Sequence, residues 1–249
     1  MTMHNTSVCI LGMHRSGTSC LAGCLEECGL VLGDVVNAAP HNLKGNKESI
    51  DLRSINDDVL AQSGGAWDKP PETLAWNDNL RQRRDAHMNA YAAFPVWGFK
   101  DPRTLLTIPF WKEASQDLRF IGTFRHPRDV VDSLNARKGL EPKSSPLELW
   151  KHYNRQLLEF HDLVRFPIVS FDLDQEPYVQ AVSEIASSLG MPALSEVPSF
   201  YDDNMRTKTS IHINDWPFDD ESLAIYTTLQ SRGMQPTSLL SASGSKGKS

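Results

Sequence analysis

No apolar run in the 249-residue chain approaches the ~20 residues that a bilayer-crossing helix needs, so no membrane span is expected. The opening Met1 to Thr6 is polar and lacks the apolar core of a secretory signal, which makes the cytoplasm the expected location. A basic surplus is missing as well, since 25 Lys and Arg stand against 31 Asp and Glu for a formal charge of −6. General affinity for nucleic acid or an anionic membrane depends on clustered Lys and Arg, so neither is an expected partner. Cysteine is scarce, with four residues and no C-x-x-C pair. Cys20, Cys24 and Cys28 fall at i, i+4 and i+8 along one helical stripe, and Cys9 lies in an apolar run. That spacing fits small thiols packing a helix on a sheet better than metal ligation, so neither a metal nor a disulfide is expected.

The most telling absence is a single lysine. Gly12-Met13-His14-Arg15-Ser16-Gly17-Thr18-Ser19 has the spacing of the phosphate-binding loop G-x-x-x-x-G-K-[ST], but Thr18 stands where the lysine belongs. Ser7 to Leu11 reads as a buried strand and Cys20 to Leu25 opens a helix. In a strand, loop and helix of this kind, converging backbone N–H groups and the helix dipole bind an oxyanion without the lysine. The lysine itself serves the β- and γ-phosphates of a triphosphate, so its loss argues against γ-phosphoryl transfer. Arg15 places a planar fork of donors in the loop, suited to a sulfonate or phosphate. The plain alternative is a Gly-Thr-Ser turn that only caps a helix.

A second segment has the same logic. Leu118 to Phe124 is a strand candidate ending at Arg125-His126-Pro127-Arg128-Asp129, and Val130 onward reads as an amphipathic helix with Pro127 near its first turn. Arg125 at the strand's carboxyl end and Ser133 two turns into the helix can converge on one anion, in the crevice where open α/β sheets bind ligands. Arg128 either joins them or faces solvent.

These two anion sites, in this order, resemble the sulfotransferases that use 3′-phosphoadenosine 5′-phosphosulfate as donor. The resemblance also covers Lys44-Gly45-Asn46-Lys47-Glu48, Trp97-Gly98-Phe99-Lys100-Asp101-Pro102-Arg103 and Leu149-Trp150-Lys151-His152-Tyr153-Asn154, and spans roughly residues 7 to 206. The blocks are most similar to bacterial sulfotransferase family proteins, with kinship to tyrosylprotein sulfotransferases. The resemblance implies the sulfotransferase fold, an α/β parallel sheet like that of P-loop NTPases with helices on both faces. It implies transfer of a sulfuryl group to a hydroxyl or amine of a small-molecule or carbohydrate acceptor, without a metal.

Site roles follow from the same resemblance. Gly12, His14, Arg15, Ser16, Gly17, Thr18 and Ser19 would hold the 5′-phosphosulfate, and Arg125 with Ser133 the 3′-phosphate. Glu48 matches the acidic residue of a Lys-Gly-x-x-Glu pattern that takes the acceptor's proton, with His14 and His41 as other candidates for the base. Arg15 and Lys100 would supply fixed positive charge at the reacting oxygens. Two readings remain open here: Glu48 as a first-turn carboxylate that only favours a helix dipole, and Asp101 with Arg103 as a surface salt-bridged turn rather than ligand contacts. Two departures are visible. The loop lacks the Pro-Lys opening of the cytosolic branch, which leaves Arg15 to serve the leaving group, and Asn46 and Lys47 replace commoner aromatics.

One domain over residues 1–236 is the economical organisation, with a Ser/Gly/Lys-rich tail at 237–249 expected to be disordered. Strands are expected at 7–11, 96–100, 118–124 and 166–171. Helices are expected near 18–29, 49–62, 79–93, 103–115, 128–138, 146–164, 175–189 and 215–233. Trp67, Trp76, Trp97 and Trp111 are candidates to line an acceptor pocket. The competing functions are a P-loop small-molecule kinase, with Asp101 as the Mg²⁺-holding acid, and a catalytically silent nucleotide-binding module.

Overall fold

Val8 and Ile10 point to one side of the first strand and Cys9 and Leu11 to the other, and all four are fully buried. A strand apolar on both faces belongs in the middle of a covered parallel sheet, and that is where it lies. The computed structural model describes residues 5–36, 45–115, 117–136, 141–201 and 217–236. His41, Lys44, Arg206 and the tail 237–249 lie outside the described residues.

Strand β1 (Thr6–Leu11) pairs in parallel with β2 (Val96–Lys100) on one side and β3 (Arg119–Phe124) on the other, and β3 pairs in parallel with β4 (Ile168–Ser170). The order is β2-β1-β3-β4. All four carboxyl ends therefore share one edge of the sheet.

Helices cover both faces. Helix α1 (Thr18–Glu27) and helix α7 (Gln175–Ser188) pack Leu21, Leu25, Val182 and Ile185 against Val8, Ile10 and Ile121. The opposite face carries α2 (Ile50–Gln62), α3 (Asp78–Ala90), α4 (Ile108–Ala114), α5 (Pro127–Asn135), α6 (Pro146–Leu163) and α8 (Asp220–Arg232), with Val59, Trp111, Trp150 and Leu157 at its centre. Cys24 and Cys28 are packed in the first layer and Cys9 in the second, as expected of small apolar thiols. Among the described residues no helix is long and apolar enough to cross a membrane.

One expected helix is divided. In place of the continuous helix expected over 103–115, a short 3-10 turn, Pro102–Leu105, is followed by a break and then α4. Pro109 has no N–H to return to Leu105 and sits at the start of α4, where that lack costs nothing. The Asp101 side chain caps the 3-10 turn by accepting from the Arg103 N–H at 2.9 Å.

Candidate active site

The loop after β1 is compact because its backbone takes conformations that ordinary residues avoid. Arg15 has φ 67° and Gly17 has φ 86°, both left-handed. A Cβ on Gly17 would lie 2.3 Å from the Phe171 ring, and one on Gly12 would lie 2.6 Å from the Thr123 carbonyl oxygen. Both glycines are thus demanded by close approach to neighbouring strand ends. Thr123 Oγ1 donates to the Ser16 carbonyl at 3.1 Å, tying the loop to β3. Gly17, the residue before α1, has no side chain to cap the first N–H groups of the helix. Ser16 is fully buried, and its hydroxyl has no hydrogen-bond partner among the described residues.

At one flank of the loop stand Lys100 and Glu48. Lys100 ends β2, beside Ile10 of β1 in register, and is 1% exposed. Its Nζ donates to Glu48 Oε1 at 2.7 Å and to Ser19 Oγ at 3.3 Å, which leaves one of its three N–H donors without a partner among the described residues. A buried ammonium is tolerable only when paired, and Glu48, itself 13% exposed, supplies the charge. Glu48 lies before α2 rather than in its first turn. Its segment is held by Ser19 Oγ donating to the Asn46 carbonyl at 3.0 Å and by Lys47 Nζ pairing with Glu26 at 2.7 Å. The backbone pairs of Val36 with Lys47 and Glu48 add a further hold. Lys47 is left-handed, with φ 53°.

At the other flank the strand-end residues gather. Arg125 follows β3 and donates from Nη1 to the Arg15 carbonyl at 3.4 Å, with its guanidinium over the Phe171 ring. Asp129 Oδ2 lies 3.6 Å from its Nε. Arg15 Nε donates to Ser133 Oγ at 2.6 Å. The sequence reading puts Arg15 at the reacting oxygens with Lys100 and leaves Ser133 to Arg125. The hydrogen bond to Ser133 brings Arg15 to the strand-end pair. Arg128 does not simply face solvent: it is half-buried, and its Nε has no partner among the described residues.

Asp101 and Arg103 form no surface turn. Asp101 is fully buried, taking Arg103 N and Nη1 on Oδ1 and Asn56 Nδ2 on Oδ2. Burial opposes the charge on Arg103, but Asp101 and Asp57 more than offset it and hold the guanidinium well above its usual range. Of the tryptophans offered for an acceptor pocket, Trp97 and Trp111 are core residues, and the indole N–H of Trp76 is taken by Glu113. Trp67 is the one placed against the loop, with its ring centroid 4.6 Å from that of His14.

Sequence reasoning missed Asp172 and Tyr226. Asp172 Oδ2 accepts from His126 N at 2.8 Å and from the Tyr226 hydroxyl at 3.1 Å. Burial pushes its carboxyl up to about 6 against the opposing pull of Arg125. Its place just after β4, at the ligand-bearing edge of the sheet, was the signal available.

No family model and no curated protein matches this chain. Solved structures do. A sulfotransferase domain from the curacin biosynthetic pathway aligns over 94% of this chain and 99% of its own, with a TM-score of 0.57 at 15% identity. A sulfotransferase domain from the olefin synthase of Synechococcus PCC 7002 aligns over 91% and 96%, with a TM-score of 0.53, also at 15% identity. With its four parallel strands, its helices on both faces and near-complete coverage of both domains, this chain has the sulfotransferase fold.

Proposed function

We propose that this protein is a sulfotransferase of the bacterial family that uses 3′-phosphoadenosine 5′-phosphosulfate and transfers the sulfuryl group to a hydroxyl or amine of a small-molecule or carbohydrate acceptor. The observation that carries the reading is the division of charge about the loop: Lys100 and Glu48 on the Ser19 flank, and Arg15, Arg125 and Ser133 on the other. Two separate anion sites joined by one loop suit a donor with a 5′-phosphosulfate and a distant 3′-phosphate. The donor also answers an unmet demand, because Ser16 Oγ and Arg128 Nε are buried polar atoms without partners among the described residues.

Each residue then has a defined task. The N–H groups of the loop and the start of α1 bind the 5′-phosphate. Arg15 and Arg125 hold the 3′-phosphate, with the Ser133 hydroxyl beside them. Arg15 is thereby assigned to the distal phosphate rather than to the reacting oxygens. Lys100 stabilises negative charge growing on the sulfonyl oxygens and on the departing phosphate oxygen, a preorganised electrostatic role. Glu48, in contact with Lys100, accepts the acceptor's proton while the new O–S bond forms in line with the S–O bond that breaks. The products are the sulfated acceptor and 3′-phosphoadenosine 5′-phosphate.

A kinase would need an acid free to hold Mg²⁺ and a loop cation for the γ-phosphate. Asp101 has both oxygens committed to Arg103 and Asn56, and Thr18 fills the lysine position. Thermal stability with 3′-phosphoadenosine 5′-phosphate, adenosine 5′-phosphate, and ATP with Mg²⁺, measured in parallel, tests the proposal. A ligand at a hundred times its dissociation constant adds about 2.7 kcal/mol. Stabilisation by the 3′,5′-bisphosphate above the other two, lost in Arg125→Ala, is the expected result. Preference for ATP with Mg²⁺, or no response to any of the three, overturns it. Donor binding with no turnover on any acceptor tried, unchanged by Glu48→Gln, would favour a silent module.

A further inference from the structure

The peptide group between Arg125 and His126 is gripped at both of its polar ends. Its carbonyl accepts from the buried indole N–H of Trp150, in α6, at 3.0 Å. Its N–H donates to Asp172 Oδ2, just past β4, at 2.8 Å. The same oxygen accepts from the Tyr226 hydroxyl, in α8, at 3.1 Å. Tyr226 also packs edge-on to the His126 ring, with centroids 5.0 Å apart. Three elements far apart in sequence thus converge on one peptide plane at the end of β3.

A peptide plane so held has little freedom to rotate about its flanking dihedrals, and Cα of Arg125 is one of its six coplanar atoms. The direction in which the Arg125 side chain leaves the sheet is therefore set by the clamp. We infer that Asp172, with Tyr226 and Trp150, positions Arg125 for the 3′-phosphate, which makes the C-terminal helix a determinant of donor selectivity. This rests on the proposed donor. Trp150 and Asp172 hold the Arg125–His126 peptide group, and Tyr226 holds Asp172 and the His126 ring, so all three act through Arg125 as positioning residues. Their effect belongs to the 3′-phosphate alone, because the loop and α1 bind the 5′-group by their own backbone N–H donors.

The test is the ratio of dissociation constants for adenosine 5′-phosphate and 3′-phosphoadenosine 5′-phosphate, measured by calorimetry on the full chain alongside its melting temperature. Asp172→Ala removes the acceptor for both His126 and Tyr226. The ratio is expected to fall by about tenfold or more, as for loss of a charge-assisted hydrogen bond, with adenosine 5′-phosphate binding unchanged. Asp172→Asn keeps an oxygen in the place of Oδ2 and is expected to restore most of the ratio. Tyr226→Phe deletes only a hydroxyl, so it reports on the clamp even if Asp172→Ala folds poorly, and it is expected to lower the ratio by a smaller factor. Equal loss of affinity for both nucleotides, or a lower melting temperature with the ratio intact, would mean that the clamp only holds the fold together. A wild-type ratio near one overturns the donor reading and the inference with it. A high wild-type ratio lost in Arg125→Ala but kept in both Asp172→Ala and Tyr226→Phe overturns the inference alone.

Discussion

Arg15 and Ser133 are 118 residues apart in the chain, yet Arg15 Nε lies 2.6 Å from Ser133 Oγ. The contact joins the loop after β1 to the helix after β3. A second tie, from Arg125 to the Arg15 carbonyl, closes the same corner.

Arg15→Lys should therefore not be conservative. A lysine keeps the charge but cannot present a planar fork to both a phosphate and Ser133. We expect affinity for 3′-phosphoadenosine 5′-phosphate to drop by about 10- to 100-fold, matching loss of a charged hydrogen bond, with binding of adenosine 5′-phosphate less affected. Calorimetric titration of both nucleotides checks this.

Glu48→Gln should separate chemistry from binding. The amide cannot take a proton at neutral pH, so turnover should fall by about 10²- to 10⁴-fold while donor affinity is kept, and the melting temperature should drop because the buried Lys100 loses its counter-charge. Lys100→Met should lower both turnover and melting temperature, because Glu48 then loses its buried cation. The double variant should be more stable than Lys100→Met alone, since no uncompensated charge remains. Acceptor turnover and thermal melts of the three variants decide the matter.

Asp172 gives a pH signature. Its carboxyl lies at about 6 in the folded protein, above the ordinary 3.8, so the folded state binds its proton more tightly than the unfolded chain does. The stability this contributes is fully present below about pH 3.8 and is lost as pH rises through about 6. The groups facing it are Arg125, which opposes the shift, Asp129, Tyr226 and the His126 N–H. In Asp172→Asn that loss should vanish. The gap in unfolding free energy between the two proteins should change by on the order of 2 kcal/mol between pH 4 and 6.5, allowing for partial exposure. Urea unfolding across that range measures it.

Gly17→Ala and Gly64→Ala share a backbone penalty but not a steric one. Both glycines have positive φ, 86° and 75°, but a Cβ meets the Phe171 ring at Gly17 and nothing within 4 Å at Gly64. Gly64→Ala should cost about 1 kcal/mol. Gly17→Ala should cost about 1–3 kcal/mol more from overpacking, and should also weaken nucleotide binding by moving the loop. Chemical denaturation of the pair isolates the steric part.

Much of this site was legible in the chain because it is local. The loop Gly12 to Ser19 sits between a buried strand and a helix, and Arg125 closes another strand, so short apolar periods and their punctuation were enough to find both. Lys100 was legible for the same reason, as the last residue of β2. The division near Pro109 is also a local signal, because a proline without an N–H interrupts an otherwise helical apolar pattern.

What the sequence by itself determined, then, was which residues stand at strand ends and helix starts, since these follow from neighbours within a few positions. Tertiary structure alone decided which of them meet: Arg15 with Ser133, Lys100 with Glu48 and Ser19, Asp172 and Trp150 on one peptide group, and Trp97 and Trp111 in the core rather than a pocket. Those contacts join segments that are distant along the chain. Their partners are fixed by strand order and helix packing, which no local periodicity encodes.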